Sequence, residues 1–193
     1  HVRYAENVVS DVRNLKEKYD CNYFFFTDEA LPINFMRTFA TKIVDAKLDI
    51  KWTGELKFEK SLLKEDRMEL LYQSGCRKLI FGLESYNQRV LDSMKKGVDV
   101  KVIDKTVEEC LRIGIAMHFY LITGFPTETE AEARESVDFV LNSRRLLDSP
   151  GFSCIISQFD LEKGTPIEKN PSEWNITELY TPPDHDLSLG YSY

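Results

Sequence analysis

The sequence predicts an α/β protein: a partial (β/α) TIM-like barrel of parallel strands that is missing its first strand. Three observations predict it. Apolar segments alternate between helical and strand periodicity, successive strands begin about thirty residues apart, and polar residues recur at the ends of several strands. A repeat of that length is one βα unit, and five of them imply an all-parallel sheet or an open part of a barrel. No GxGxxG turn marks a doubly wound fold, and the polar strand ends are spread around the sheet rather than gathered at one crevice.

Each element has its own signal. Val8, Val12, Leu15 and Tyr19 share one helical face. Residues 23–26 form a continuous apolar run ending at Thr27, Asp28 and Glu29, as a buried parallel strand would. Pro32 can start the next helix, whose face is Met36, Phe39, Ala40 and Ile43. Residues 49–56 read as a strand, followed by a helix over 64–74 that Gly75 stops. Strands follow at 78–83, 115–123 and 152–159, with helices at 87–95, 100–113 and 127–147.

The chain enters a crossover helix almost at once, so a strand is expected before it. Without that strand, the run Phe24, Phe25, Phe26 lies on a raw parallel edge. Residues 1–160 therefore read as barrel strands two to six of a longer protein. Residues 161–193, where periodicity fades around Pro166, Pro171, Pro182 and Pro183, read as an extension or linker.

Composition excludes several classes of function. A net charge of −7 without a basic stripe argues against nucleic acid as a ligand. No apolar stretch reaches the length of a membrane span and no secretory signal is present, which points to the cytoplasm. Cys21, Cys76, Cys110 and Cys154 lie far apart and form no C-x-x-C pair, so four reduced thiols are expected and no metal ligands.

Two strand ends stand out. Glu84-Ser85 closes a buried strand; its carboxylate could accept from vicinal hydroxyls, as ribose recognition needs. The alternative is local: Ser85 caps the next helix and Glu84 pairs with a cation. In residues 124–130, Thr127 and Glu130 have the spacing of a capping box, while Gly124 offers bare backbone to a planar ligand. Asp28 and Glu29 sit at a third strand end, and Glu55 and His118 could face a barrel interior. Lys95, Lys96 and Gly97 read as a helix end. An acid–base lyase or aldolase lacks support, because no lysine or histidine is expected at a strand end beside a carboxylate.

Five stretches, residues 26–29, 74–85, 90–97, 124–129 and 159–167, resemble in order and spacing the radical S-adenosylmethionine superfamily, in particular the branch that often carries an N-terminal cobalamin-binding domain. The resemblance implies S-adenosylmethionine as cofactor, a [4Fe-4S] cluster on a C-x-x-x-C-x-x-C loop after the first strand, and cobalamin on a separate domain. It implies a 5′-deoxyadenosyl radical that abstracts hydrogen from a small-molecule or peptide substrate, an electron donor such as flavodoxin or ferredoxin, and methyl transfer as the commonest outcome. Asp28 or Glu29 would meet the methionine amino group, Glu84 and Ser85 the ribose. Ile122, Gly124 and Phe125 would line the adenine, bordered by Ser157 and Gln158. The cluster motif is absent here, so the ligands are expected upstream and the fragment alone is expected to be inactive. The rival expectation is a non-catalytic, cluster-less barrel acting as a binding or scaffold partner.

Overall fold

A computed structural model describes residues 3–64, 66–180 and 190–191. Five strands, β1 (Tyr23–Phe25), β2 (Lys51–Leu56), β3 (Cys76–Glu84), β4 (Ala116–Thr123) and β5 (Ser153–Gln158), pair in that order and all in parallel. A doubly wound sheet would reverse its strand order at a crevice. This sheet never does, and it curls as a half-barrel with helices on its convex side.

Alternation along the strands separates the two faces. On β3, Leu79, Phe81 and Leu83 are buried toward the helices, whereas Lys78, Ile80, Gly82 and Glu84 point to the concave side. On β4 the same split puts Met117, Phe119 and Leu121 in the core and His118, Tyr120 and Ile122 opposite. Edge-to-face contacts join Phe26, Phe39 and Trp52 at one end of the core, and Phe58 stacks on Phe81 at the other.

The helices are α1 (Ala5–Tyr19), α2 (Ile33–Asp45), α3 (Arg67–Gln73), α4 (Gln88–Ser93), α5 (Val100–Ile113), α6 (Glu130–Leu141) and α7 (Arg144–Leu147). Several differ from the sequence expectation. Helix α1 buries Ala5, Val9 and Val12, while Leu15 and Tyr19 are exposed, because only its N-terminal half is covered by the core. The segment expected as one helix over 64–74 is a 3-10 turn, Lys60–Leu63, followed by the shorter α3; fully buried Leu62 anchors that turn. The helix expected over 127–147 breaks between α6 and α7 at Asn142 and Ser143, both poor helix formers.

The capping box also shifts. Thr127 with Glu130 and Thr129 with Glu132 both have the required spacing, and the structure uses the second pair. Thr127 instead takes a left-handed conformation with φ of 72°, which a helix start excludes. Ser85 does not cap α4 either; that position belongs to Asn87, whose side chain accepts from the Val90 N–H.

Gly75 joins α3 to β3 at φ of +96°, and a β-carbon there would lie 2.0 Å from the Ile50 carbonyl oxygen. Beyond β5 the chain is not extended throughout. It forms β6 (Leu161–Glu162), α8 (Pro166–Lys169) and a 3-10 turn at Pro171–Trp174; β6 pairs antiparallel with β7 (Gly190–Tyr191). Pro182 and Pro183 lie outside the described residues. All four cysteines are free thiols, with Cys76 and Cys110 buried. No helix among the described residues is long and apolar enough to cross a membrane.

Candidate functional site

The strand tips of the half-barrel carry opposite kinds of chemistry on its two sides. Toward β1 and β2 they are acidic. Glu84 ends β3 at a register irregularity and holds φ of 58°, a left-handed conformation that costs a non-glycine residue about 1–3 kcal/mol. Its carboxylate accepts from the Lys96 ammonium at 2.7 Å and is the less exposed partner, at 14% against 38%. Lys96 follows α4, so the basic helix end read from the sequence also delivers a cation to the tip of β3. The expectation that no lysine stands beside a strand-end carboxylate is thereby corrected. The loop after α4, rather than a strand, brings it there.

Glu55 shares this space. Its carboxyl is pushed above the ordinary range, first by partial burial and then by the negative charges of Glu29 and Glu84, with Lys96 opposing. A raised pKa in the folded state means that Glu55 costs stability as pH rises through it, and nothing below the unfolded value. Glu55→Gln is therefore expected to raise the melting temperature at pH 8 and not at pH 4, by under about 1 kcal/mol for so partly covered a group. Thermal unfolding at the two pH values checks it; equal shifts at both would contradict the crowding of charge.

Asp28, next to Glu29, goes elsewhere. It lines a cleft of 460 Å³ with Arg3, Phe25 and Phe35, between α1 and α2. The two acids at the end of β1 thus diverge, and it is Glu29 whose charge reaches Glu55.

Toward β4 and β5 the tips are aromatic. Gly124 turns at φ of +78°, and a β-carbon there would meet only Gln158, at 3.8 Å, so the space above it is open. The turn is closed from below: Glu128 accepts the Gly124 N–H at 2.6 Å, and burial raises the pKa of its carboxyl. Phe125 is almost fully buried, edge-on to Phe159 at 5.2 Å and to Trp174 at 5.5 Å. These rings wall a cleft of 320 Å³ whose rim includes Lys95, Asp160 and Glu162. Ile122, two residues before Gly124, faces the concave side opposite Ser157 on β5.

The two tips are stitched together. Ser85 is fully buried and shares a 2.9 Å hydrogen bond with Ser136 of α6, which also accepts the Tyr86 N–H. Arg89 of α4 donates to the Thr127 carbonyl and to both oxygens of Glu132, holding that carboxyl down at about 2. The hydroxyl of Ser85 thus serves the turn under Glu84 rather than facing the open side. Sequence reasoning missed Lys96, Glu128 and Ser136, since each acts through a contact distant in sequence or a turn of unknown shape.

The family model of the Radical SAM superfamily matches residues 1–140. The chain belongs to the radical SAM superfamily. Bacteriochlorophyllide d C-12(1)-methyltransferase of Chlorobaculum tepidum is 29% identical over 135 residues, which cover 68% of this chain and 28% of that protein. An uncharacterized methyltransferase of Pyrococcus horikoshii is 26% identical over 70% of this chain and 29% of its own length. Among solved structures, the radical S-adenosylmethionine methyltransferase TsrM of Kitasatospora setae, with cobalamin and [4Fe-4S] cluster bound, superposes with a TM-score of 0.69 at 20% identity. The alignment covers 83% of this chain and 29% of that one. The chain thus spans less than a third of the length of these relatives.

The superfamily uses S-adenosylmethionine and a [4Fe-4S] cluster, and the residues of this radical SAM chain fit the two unequally. The acid-rich tips of β1–β3 suit the sulfonium charge and the ammonium and hydroxyl donors of S-adenosylmethionine. The thiols do not suit a cluster. Cys21, Cys76, Cys110 and Cys154 lie far apart in the chain, with Cys76 and Cys110 buried, and no two of them have the spacing of a cluster loop. Among the described residues no group of three or more candidate ligands could hold a metal.

Proposed function

We propose that this chain is the S-adenosylmethionine-binding part of a cobalamin-associated radical SAM methyltransferase that acts in the cytoplasm. Residues 1–160 would be its barrel and residues 161–193 a C-terminal extension or linker. The observation that carries the reading is the strained Glu84 at the acidic strand tips. A left-handed non-glycine residue persists only where its surroundings over-determine it, and here the turn beneath it is anchored to α6.

Glu84 would accept the ribose hydroxyls, and Lys96 would hold it in place while Ser85 secures its turn. Glu29, with Glu55 behind it, would receive the methionine amino group, and Asp28 would stand aside. Ile122, Gly124 and Phe125 would border the adenine over the open space above Gly124, with Ser157 and Gln158 beyond. S-adenosylmethionine held there would supply, on one-electron reduction by a cluster that other parts of the protein hold, the adenosyl radical, with methionine as the leaving group. The chain's own part is to bind and orient the cofactor and to keep water from it. The cluster ligands would lie on sequence preceding His1, with cobalamin on a further domain and flavodoxin or ferredoxin as electron donor. The relatives that match are named as methyltransferases, which favours methyl transfer to a small molecule.

Anaerobic reconstitution of the full-length gene product with iron and sulfide tests this. Cluster absorbance and reductive cleavage of S-adenosylmethionine are expected. A colourless protein that leaves the cofactor intact would sink the catalytic reading.

A further inference from the structure

The concave face of the sheet is banded. At its floor, near the N-terminal ends of β3, β4 and β5, Lys78 donates to the Ser153 hydroxyl at 2.9 Å, and the same oxygen lies 2.7 Å from His118 Nδ1. Tyr23 and Thr53 share a 2.6 Å hydrogen bond on the neighbouring strands. Above the floor the face turns apolar, with Tyr120 39% and its register partner Ile155 49% exposed and His118 edge-on to Tyr120. Glu84 stands at the tip of β3 above that band, and Glu55 is near enough for its charge to be felt there. On β3 the succession is complete, with Lys78, Ile80, Gly82 and Glu84 following one another on the concave side.

The hydrogen-bond inventory at the floor shows what is left to offer. An ammonium only donates, so the Ser153 oxygen accepts from Lys78; its own proton has His118 Nδ1 as the acceptor in reach. With the hydroxyl proton directed to Nδ1 the imidazole is neutral and carries its proton on Nε2; burial and then Lys78 lower its pKa, which favours the neutral ring. Two N–H groups of Lys78 remain as donors, joined in that tautomer by the Nε2–H of His118. No carboxylate among the described residues lies within 4.0 Å of the Lys78 ammonium. A half-buried cation with donors to spare and an apolar surface beside it is the pairing that an amphiphilic anion satisfies.

We infer that the substrate is an apolar organic acid whose carboxylate is received by Lys78 with His118 and whose body lies on Tyr120 and Ile155. One cation and neutral donors match a monoanion rather than a phosphate dianion. Two residues of strand, about 7 Å, separate floor from apolar band, so a short aliphatic spacer joins acid to apolar group. The acidic rim repels the carboxylate and favours the sulfonium, which sets the orientation of both. This substrate class rests on the cofactor reading of the tips, but its test is separable from it.

Calorimetry on the full-length holoprotein measures 3-phenylpropionate, 3-phenylpropionamide and S-adenosylmethionine on the same samples. The acid is expected to bind about tenfold to a hundredfold tighter than the amide, the worth of a charge-assisted hydrogen bond. Lys78→Met should erase that preference and Lys78→Arg should keep it, with S-adenosylmethionine affinity unchanged in both. Equal binding of acid and amide by the unaltered protein, which needs no variant, overturns the inference, as does failure of both to bind. So does a preference that survives Lys78→Met. Loss of S-adenosylmethionine binding by the unaltered protein would instead count against the cofactor site.

Discussion

Glu84→Ala is expected to weaken S-adenosylmethionine binding by the full-length protein about tenfold to hundredfold, the loss of hydrogen bonds to a charged acceptor. Two controls separate this from simple damage. The ion pair with Lys96 is partly solvated, so its removal alone costs at most about 1 kcal/mol of stability. Replacing Lys96 by methionine leaves the carboxylate present but loosely held, and a smaller loss of affinity is expected. Gly82→Ala leaves the acid intact yet crowds it, because a β-carbon at residue 82 would lie 2.6 Å from Glu84 Oε1. That variant should also lose affinity. Calorimetric titration of the three variants decides the matter: if Glu84→Ala binds the cofactor as tightly as the unaltered protein, the acid is structural and the ribose assignment fails.

Gly75→Ala carries the largest expected effect on stability. The added methyl group would stand 2.0 Å from the Ile50 carbonyl oxygen and 3.5 Å from the Lys51 α-carbon, both backbone atoms of the segment entering β2. It would also sit in a left-handed conformation that alanine resists. Relief requires moving β3 away from β2, which breaks the bond from the Trp52 N–H to the Gly75 carbonyl and disturbs the fully buried Trp52 ring. We expect a loss of about 3 kcal/mol or more, enough to leave much of the protein unfolded or insoluble. Urea unfolding of Gly75→Ala beside the neutral surface control Lys105→Ala measures it; a difference below about 1 kcal/mol would mean that the turn re-forms without cost.

The strand order and the parallel pairing were legible because parallel strands are continuous apolar runs and crossover helices have a period of their own, although β1, read as buried, lies at the sheet edge with Tyr23 and Phe25 exposed. The boundaries that failed did so for local reasons. Thr127 and Thr129 each precede a glutamate by three residues, and the φ that Thr127 adopts chose between them. Leu15 and Tyr19 continue the face of α1, but a periodic pattern does not say how far the covering layer reaches.

The site divides along the same line. Short-range pattern sufficed to place Glu29, Glu84 and Gly124 at strand ends, because a strand that stops leaves its next residues at the mouth of the sheet. Nothing in the pattern could show that Lys96 returns to Glu84, that Ser85 turns inward to Ser136, or that Asp28 parts from Glu29. Nor could it show Lys78, His118 and Ser153 sharing one hydroxyl across three strands. Those pairings join residues 12, 51 and 75 apart in the chain, and only the curl of the sheet and the path of its loops bring them within hydrogen-bond reach.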